Sequence, residues 1–138
     1  MTEPTPGRAA RLALPPLLVV AGAYHLALGA FMVVAPRTFF DEIAAFGPYN
    51  DHYIRDLASF YLAMGVLLVI AAGRRSWQVP VLFFCLLQYA LHVLNHIWDV
   101  SDADPTWIGP VNLVVLVLIG AALWWMWREA RRQAEPSQ

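Results

Sequence analysis

Hydrophobic positions gather into four long runs, at 12–34, 53–72, 77–98 and 107–127, and polar positions crowd into the short connections between them. A bilayer core about 30 Å thick needs about 20 apolar residues of helix, and each run is close to that length. The pattern predicts an all-α transmembrane four-helix bundle forming a single membrane domain. The uncharged part of the second run, 57–72, falls short of a full span, which places Arg55 and Asp56 at the membrane boundary or slightly inside it. Only residues 73–76 join the second run to the third, so those helices must be antiparallel neighbours.

The boundaries carry their own signals. Trp77, Trp98, Trp107, Trp124, Trp125 and Trp127 all fall near the ends of runs, where amphipathic rings favour the headgroup layer. Pro15 and Pro16 are expected to open the first span, Pro36 to close it, and Pro80 to sit in the first turn of the third. With Asp104 capping a helix that begins at Pro105, Pro110 would remove one hydrogen bond from the second turn and kink it. In the connection 36–50, Thr38 as N-cap followed by Phe39, Phe40, Ile43 and Phe46 predicts a short amphipathic helix. It is expected to lie on the membrane surface or cap the bundle. Residues 128–138 are expected to form a solvated, frayed tail.

Arginine placement sets an expected orientation, because cytoplasmic flanks retain positive charge during insertion. Seven of the nine basic residues, Arg8, Arg11, Arg74, Arg75, Arg128, Arg131 and Arg132, flank the runs on one side. The other side has Arg37 and Arg55 among Asp41, Glu42, Asp51, Asp56, Asp99, Asp102 and Asp104. Both termini are therefore expected in the cytoplasm of a multi-pass cell-membrane protein, with the first connection external. Arg8, Arg11 and Ala21-Gly22-Ala23 imitate a cleavable signal peptide, but the apolar run continues unbroken to Val34 and is better explained as a retained span.

Composition agrees: 59% of residues are hydrophobic and 14% charged, against a soluble average of about 45–50% and about 25%. The net charge of -1 gives no basis for nucleic-acid binding. All basic residues are Arg and none is Lys, read as a genomic bias pointing to a bacterial source. Cys85, the single cysteine, lies within an apolar run and reads as a packing residue.

Candidate chemistry lies on the third span. Gln88, His92, Asn95, His96 and Asp99 fall within an arc of about 100° on an otherwise apolar helix. A polar stripe is costly against lipid, so it should face the bundle interior. His25 on the first span lies at comparable depth, with Gly22 and Gly29 on its face to admit a neighbouring backbone. The second span enters with His52, Arg55 and Asp56, and Asn112 sits near the outer end of the fourth. These ten residues form the candidate ligand-binding set, and His25, His92, His96, Asp56 and Asp99 are expected to converge in the outer half of the bundle. Arg55 beside Asp56 reads as a neutral pair or as a holder of an anionic headgroup.

The motifs Phe46-Gly47-Pro48-Tyr49-Asn50, His52-Tyr53, Arg55-Asp56, Leu91-His92, Asn95-His96 and Asp99 resemble those of a group of small, uncharacterised bacterial four-helix integral membrane proteins. More distantly the chain is similar to the DoxX-like superfamily. That resemblance implies a four-helix membrane bundle and assigns no reaction.

Several functions stay open on this pattern. The leading expectation is a polar His/Asp/Asn pocket that binds a small ligand, a lipid headgroup or a proton. Alternatively His92 and His96, spaced i,i+4, with His25 and a carboxylate would hold a metal ion, or the histidines a haem, in a membrane redox protein. The polar groups also suit a purely structural network, or a surface docking a membrane-protein partner or a second copy. No nucleophile with its base, phosphate-cradling loop or zinc-protease signature identifies an enzyme class.

Overall fold

The computed structural model describes residues 6–135, with side chains from 13 onward. It is all-helical: α1 (Pro6–Val34), α2 (Pro36–Glu42), α3 (Asp51–Gly73), α4 (Arg75–Trp98) and α5 (Ile108–Ala134). The four long helices are long and apolar enough to cross a membrane. They form a ring in which α1 meets α3, α3 meets α4, α4 meets α5 and α5 meets α1, while the diagonal pairs make no backbone approach. One end is arginine-rich; the other carries the connections 35–50 and 99–107 and is acidic.

The closest packing joins α1 to α3, and small residues create it. A Cβ at Gly22 would stand 2.9 Å from the Gly65 carbonyl, and one at Gly29 would stand 3.1 Å from the Ala58 carbonyl. Both distances are inside normal contact, so only glycine lets these antiparallel backbones come this near. The core then fills with Leu18, Met32, Ala58, Met64, Leu68, Leu82 and Leu123. The outward faces are apolar as well: Val20, Leu94, Leu118 and Trp98 are all exposed. Lipid is the solvent that such a surface requires.

Several boundaries differ from expectation for local reasons. Pro15 and Pro16 lie inside α1, which begins upstream at Pro6. The side chains of Arg8 and Arg11 and residues 136–138 lie outside the described residues. A single residue, the extended Arg74, separates α3 from α4, and because α4 starts at Arg75, Pro80 sits beyond the first turn. α5 starts at Ile108 rather than Pro105, so Pro110 occupies the first turn, where its missing N–H breaks no helical bond. Asp104 caps nothing; its N–H donates instead to the Ala45 carbonyl, 3.0 Å. At the other end α5 runs on to Ala134, correcting the expected frayed tail, with Arg128 over Trp124 and Arg131 over Trp127.

The short helix forms, but from Pro36, so Thr38 lies within it and Ala35 takes the N-cap position. Proline at the first helical position, with φ already set, outweighs the capping hydroxyl. Phe39 anchors α2 on the bundle, buried and edge-on to Phe31. Beyond α2 the chain turns irregular, and Phe46 pairs with Ala103 in an isolated antiparallel bridge. Ala45, Ala103 and Ile108 pack beneath that bridge. The two acidic-end connections are thereby clasped to each other.

Substitution Gly65→Leu is expected to overpack the α1–α3 contact and destabilise the protein by about 1–3 kcal/mol, read as a lower thermal midpoint in detergent. Gly120→Ala, where nothing lies within 4 Å, should leave the midpoint unchanged or raise it. Equal effects at the two sites would refute the close approach.

Candidate functional site

His25 sits on the inward face of α1 and is 1% exposed. Its Nδ1 lies 2.7 Å from the Ala21 carbonyl, which only accepts, so Nδ1 carries the proton. Nε2 is then the acceptor, and the Tyr89 hydroxyl donates to it across 3.0 Å. Tyr61 stacks on the imidazole with ring centroids 5.8 Å apart, while Tyr24 and Tyr89 meet it edge-on. The Tyr89–His25 bond crosses the ring of helices from α4 to α1, the diagonal that backbone contact does not bridge.

A second group follows α4 toward the acidic end. Gln88, His92 and His96, spaced i, i+4 and i+8, stack on one face. The Gln88 amide nitrogen is 3.4 Å from His92 Nδ1, and the two Nε2 atoms of His92 and His96 are 3.1 Å apart. The two imidazoles are nearly parallel, 18° between planes, and Phe46 packs edge-on against His96.

Between these groups lies a chamber of about 340 Å³. All four long helices line it, and Phe39 and Glu42 of α2 with the irregular segment Ile43, Ala44 and Phe46 line its acidic end. Most of the wall is aliphatic or aromatic. Its polar groups include His92, His96, Asn112 and the tyrosines that enclose His25. The Asn112 amide is already used, donating to the Ile43 carbonyl at 2.5 Å and so fixing the roof.

The candidate set therefore separates. His92, His96 and Asn112 line the chamber, Gln88 supports His92 from behind, and His25 stands one layer away behind Tyr89 and Tyr61. Asn95 is exposed, because the chamber side of α4 is marked by Tyr89, His92 and His96, and at 100° per residue Asn95 lies about a quarter turn away. Asp99 ends α4, its N–H on the Asn95 carbonyl, and does not line the chamber. His52, Arg55 and Asp56 are exposed and converge on nothing. Arg55 pairs with Asp51 at 2.9 Å and Asp56 with His52 at 3.4 Å, both i,i+4, because adjacent residues such as Arg55 and Asp56 point to different sides of a helix. The inward face of α3 is instead Ile54, Ala58, Tyr61, Gly65 and Leu68.

The expected five-residue convergence is thus corrected to two neighbouring clusters. The three-histidine metal site is not assembled either: among the described residues no three His, Cys, Asp or Glu side chains stand together as a metal site. Tyr24, Tyr61 and Tyr89 went unrecognised in the sequence, since a tyrosine in an apolar run reads as packing until a buried polar partner is placed beside its hydroxyl. Compared with protein-family models, with curated proteins and with solved structures, the chain matches none.

Tyr89→Phe should strand His25 Nε2 as a buried acceptor, at about 1–3 kcal/mol. Combined with His25→Leu in a double-mutant cycle, the pair should show coupling of about 1 kcal/mol or more. Additive losses would mean that the bond does not brace the bundle.

Proposed function

We propose that this is a multi-pass membrane protein whose chamber, near the extracytoplasmic side, binds a small lipophilic molecule carrying a polar group. The chamber itself carries the reading. A cavity of about 340 Å³, walled by apolar and aromatic side chains and furnished with a few convergent polar groups, has the make-up of a small-molecule site. The wall supplies affinity by covering apolar surface, and the histidine pair supplies orientation. Apolar ligands dissolved in a bilayer could reach it between helices without crossing water.

The arginine asymmetry supports the orientation. Arg74, Arg75, Arg128, Arg131 and Arg132 lie at one end of the bundle, and Asp99, Asp102 and Asp104 lie at the chamber end. Reporter fusions after Arg75 and after Arg132 should both read as cytoplasmic. An extracytoplasmic signal from either would invert the assignment.

Binding is tested directly with 5-fluoroindole and nanodisc-embedded protein. Its fluorine resonance should split into a bilayer-dissolved signal and a protein-bound one. Val115 lines the chamber, so Val115→Trp should fill it and abolish the bound signal. Persistence of that signal in a folded Val115→Trp protein would place binding elsewhere.

A further inference from the structure

At the arginine-rich end α4 begins uncapped. Its N-cap is Arg74, in extended conformation, no side chain accepts from its first N–H groups, and its first turn contains no acidic residue. The N–H groups of Arg75 and Ser76 precede the first hydrogen bond of the helix, which is made by the Trp77 N–H to the Arg74 carbonyl. Beside them, between α4 and the end of α5, lies a cleft of about 220 Å³ lined by Arg75, Ser76, Gln78, Ala130, Gln133 and Ala134. Gln78 is only 4% exposed, yet among the described residues its amide makes no hydrogen bond, and neither amide atom is fully sealed. A buried amide without a partner is costly, so a polar atom arriving in the cleft relieves it.

Charge at this end suits an anion. Among the described residues its two carboxylates are both engaged: Glu129 accepts from Gln133 at 2.9 Å and pairs with Arg132 at 3.7 Å, and Glu135 pairs with Arg131 at 4.0 Å. Arg74 and Arg75 have no carboxylate partner among those residues. A second hollow, of about 390 Å³, shares Ser76 with the cleft. It is apolar, lined by Leu67 of α3 and by Trp77, Pro80, Val81 and Phe84 of α4. From Ser76 to Phe84 it follows α4 away from the arginine-rich end for about 12 Å. A basic cleft at the membrane boundary that continues into an apolar groove matches the two-part chemistry of a phospholipid. Free phosphate would use only the first part.

We propose that the cleft and groove together bind one anionic phospholipid from the leaflet at the arginine-rich end. Its phosphate accepts from the N–H groups that open α4, the Ser76 hydroxyl, the Arg75 guanidinium and the Gln78 amide, and an acyl chain lies against Trp77, Pro80 and Phe84. The dipole of α4 and the always-charged guanidinium both favour a net negative headgroup. A zwitterionic headgroup would bring its own cation toward the arginines. The site stands at the opposite end of the bundle from the chamber and does not depend on it.

Native mass spectrometry of the full chain in an uncharged detergent tests this, titrated with phosphatidylglycerol and with phosphatidylcholine of identical acyl chains. One phosphatidylglycerol should bind, about tenfold or more tighter than phosphatidylcholine. Gln78→Leu, which changes no charge, should weaken phosphatidylglycerol by about tenfold, and Arg75→Gln by at least as much. Arg128, over Trp124 and outside the cleft, is the control, and Arg128→Gln should cost little. Leu67→Trp should fill the groove and weaken the lipid. Inorganic phosphate, compared with chloride at equal ionic strength, should not displace it. No preference between the two lipids, unchanged affinity in a folded Gln78→Leu protein, or equal losses at Arg75 and Arg128 would leave only diffuse attraction to charge and overturn the site. Displacement by inorganic phosphate, or unchanged affinity in a folded Leu67→Trp protein, would make the cleft a free-anion site and overturn the lipid. Should Gln78→Leu fail to fold, the contrast between Arg75→Gln and Arg128→Gln decides.

Discussion

One buried hydrogen bond, Tyr89 O–H to His25 Nε2, ties together parts of the bundle that backbone packing leaves apart. α1 and α4 lie on a diagonal, and this bond spans it. An imidazole with both nitrogens engaged sits in an apolar interior at lower cost than one with an orphaned nitrogen. His25 therefore fixes the side-chain position of Tyr89. It also offers Tyr61 a flat surface on which to stack. Those two tyrosines then serve as the wall between the His25 cluster and the chamber.

The bond relies in turn on how near α3 comes to α1. Gly22 and Gly29 flank His25 on α1 and meet Gly65 and Ala58 on α3. With larger residues the helices would stand farther apart and Tyr61 would lose its contact with the ring. Close packing on one side of the bundle leaves space on the other, and the chamber opens there, between the tight α1–α3 pair and the α4–α5 pair. Its roof is irregular backbone held by a bridge at Phe46 and Ala103 and by the Asn112 bond. Irregular backbone at that position is tolerable because its polar groups are paired within the protein.

The two ends of the molecule use aromatic residues in different ways. At the arginine-rich end Trp124 and Trp127 lie beneath guanidinium groups, an arrangement suited to a headgroup layer where one side is apolar and the other charged. At the acidic end Arg37 lies over Tyr49 and pairs with Asp41 at 2.8 Å. The hydrogen bond to that carboxylate holds the Arg37 guanidinium above its ordinary pKa. These contacts secure the edges of the bundle.

Sequence alone determined the four spans, the small-residue face around His25, the antiparallel order and the polar face of α4. Each of these follows from solvent preference or from helical periodicity, which are local and recur along the chain. Tertiary structure decided which edge of the polar face looks inward. Asn95 and His96 are adjacent and equally polar, yet only the contact of α4 with α3 and α5 turns His96 to the chamber and Asn95 outward. It likewise decided that Arg55 pairs with Asp51 and Asp56 with His52 along the surface of α3, since i,i+4 neighbours on one helix are already close and need no second helix to be brought up. The tyrosines became part of the site for the same reason. A hydroxyl in an apolar run has no meaning until the fold supplies its acceptor, and here that acceptor lies on a helix 64 residues away in the chain.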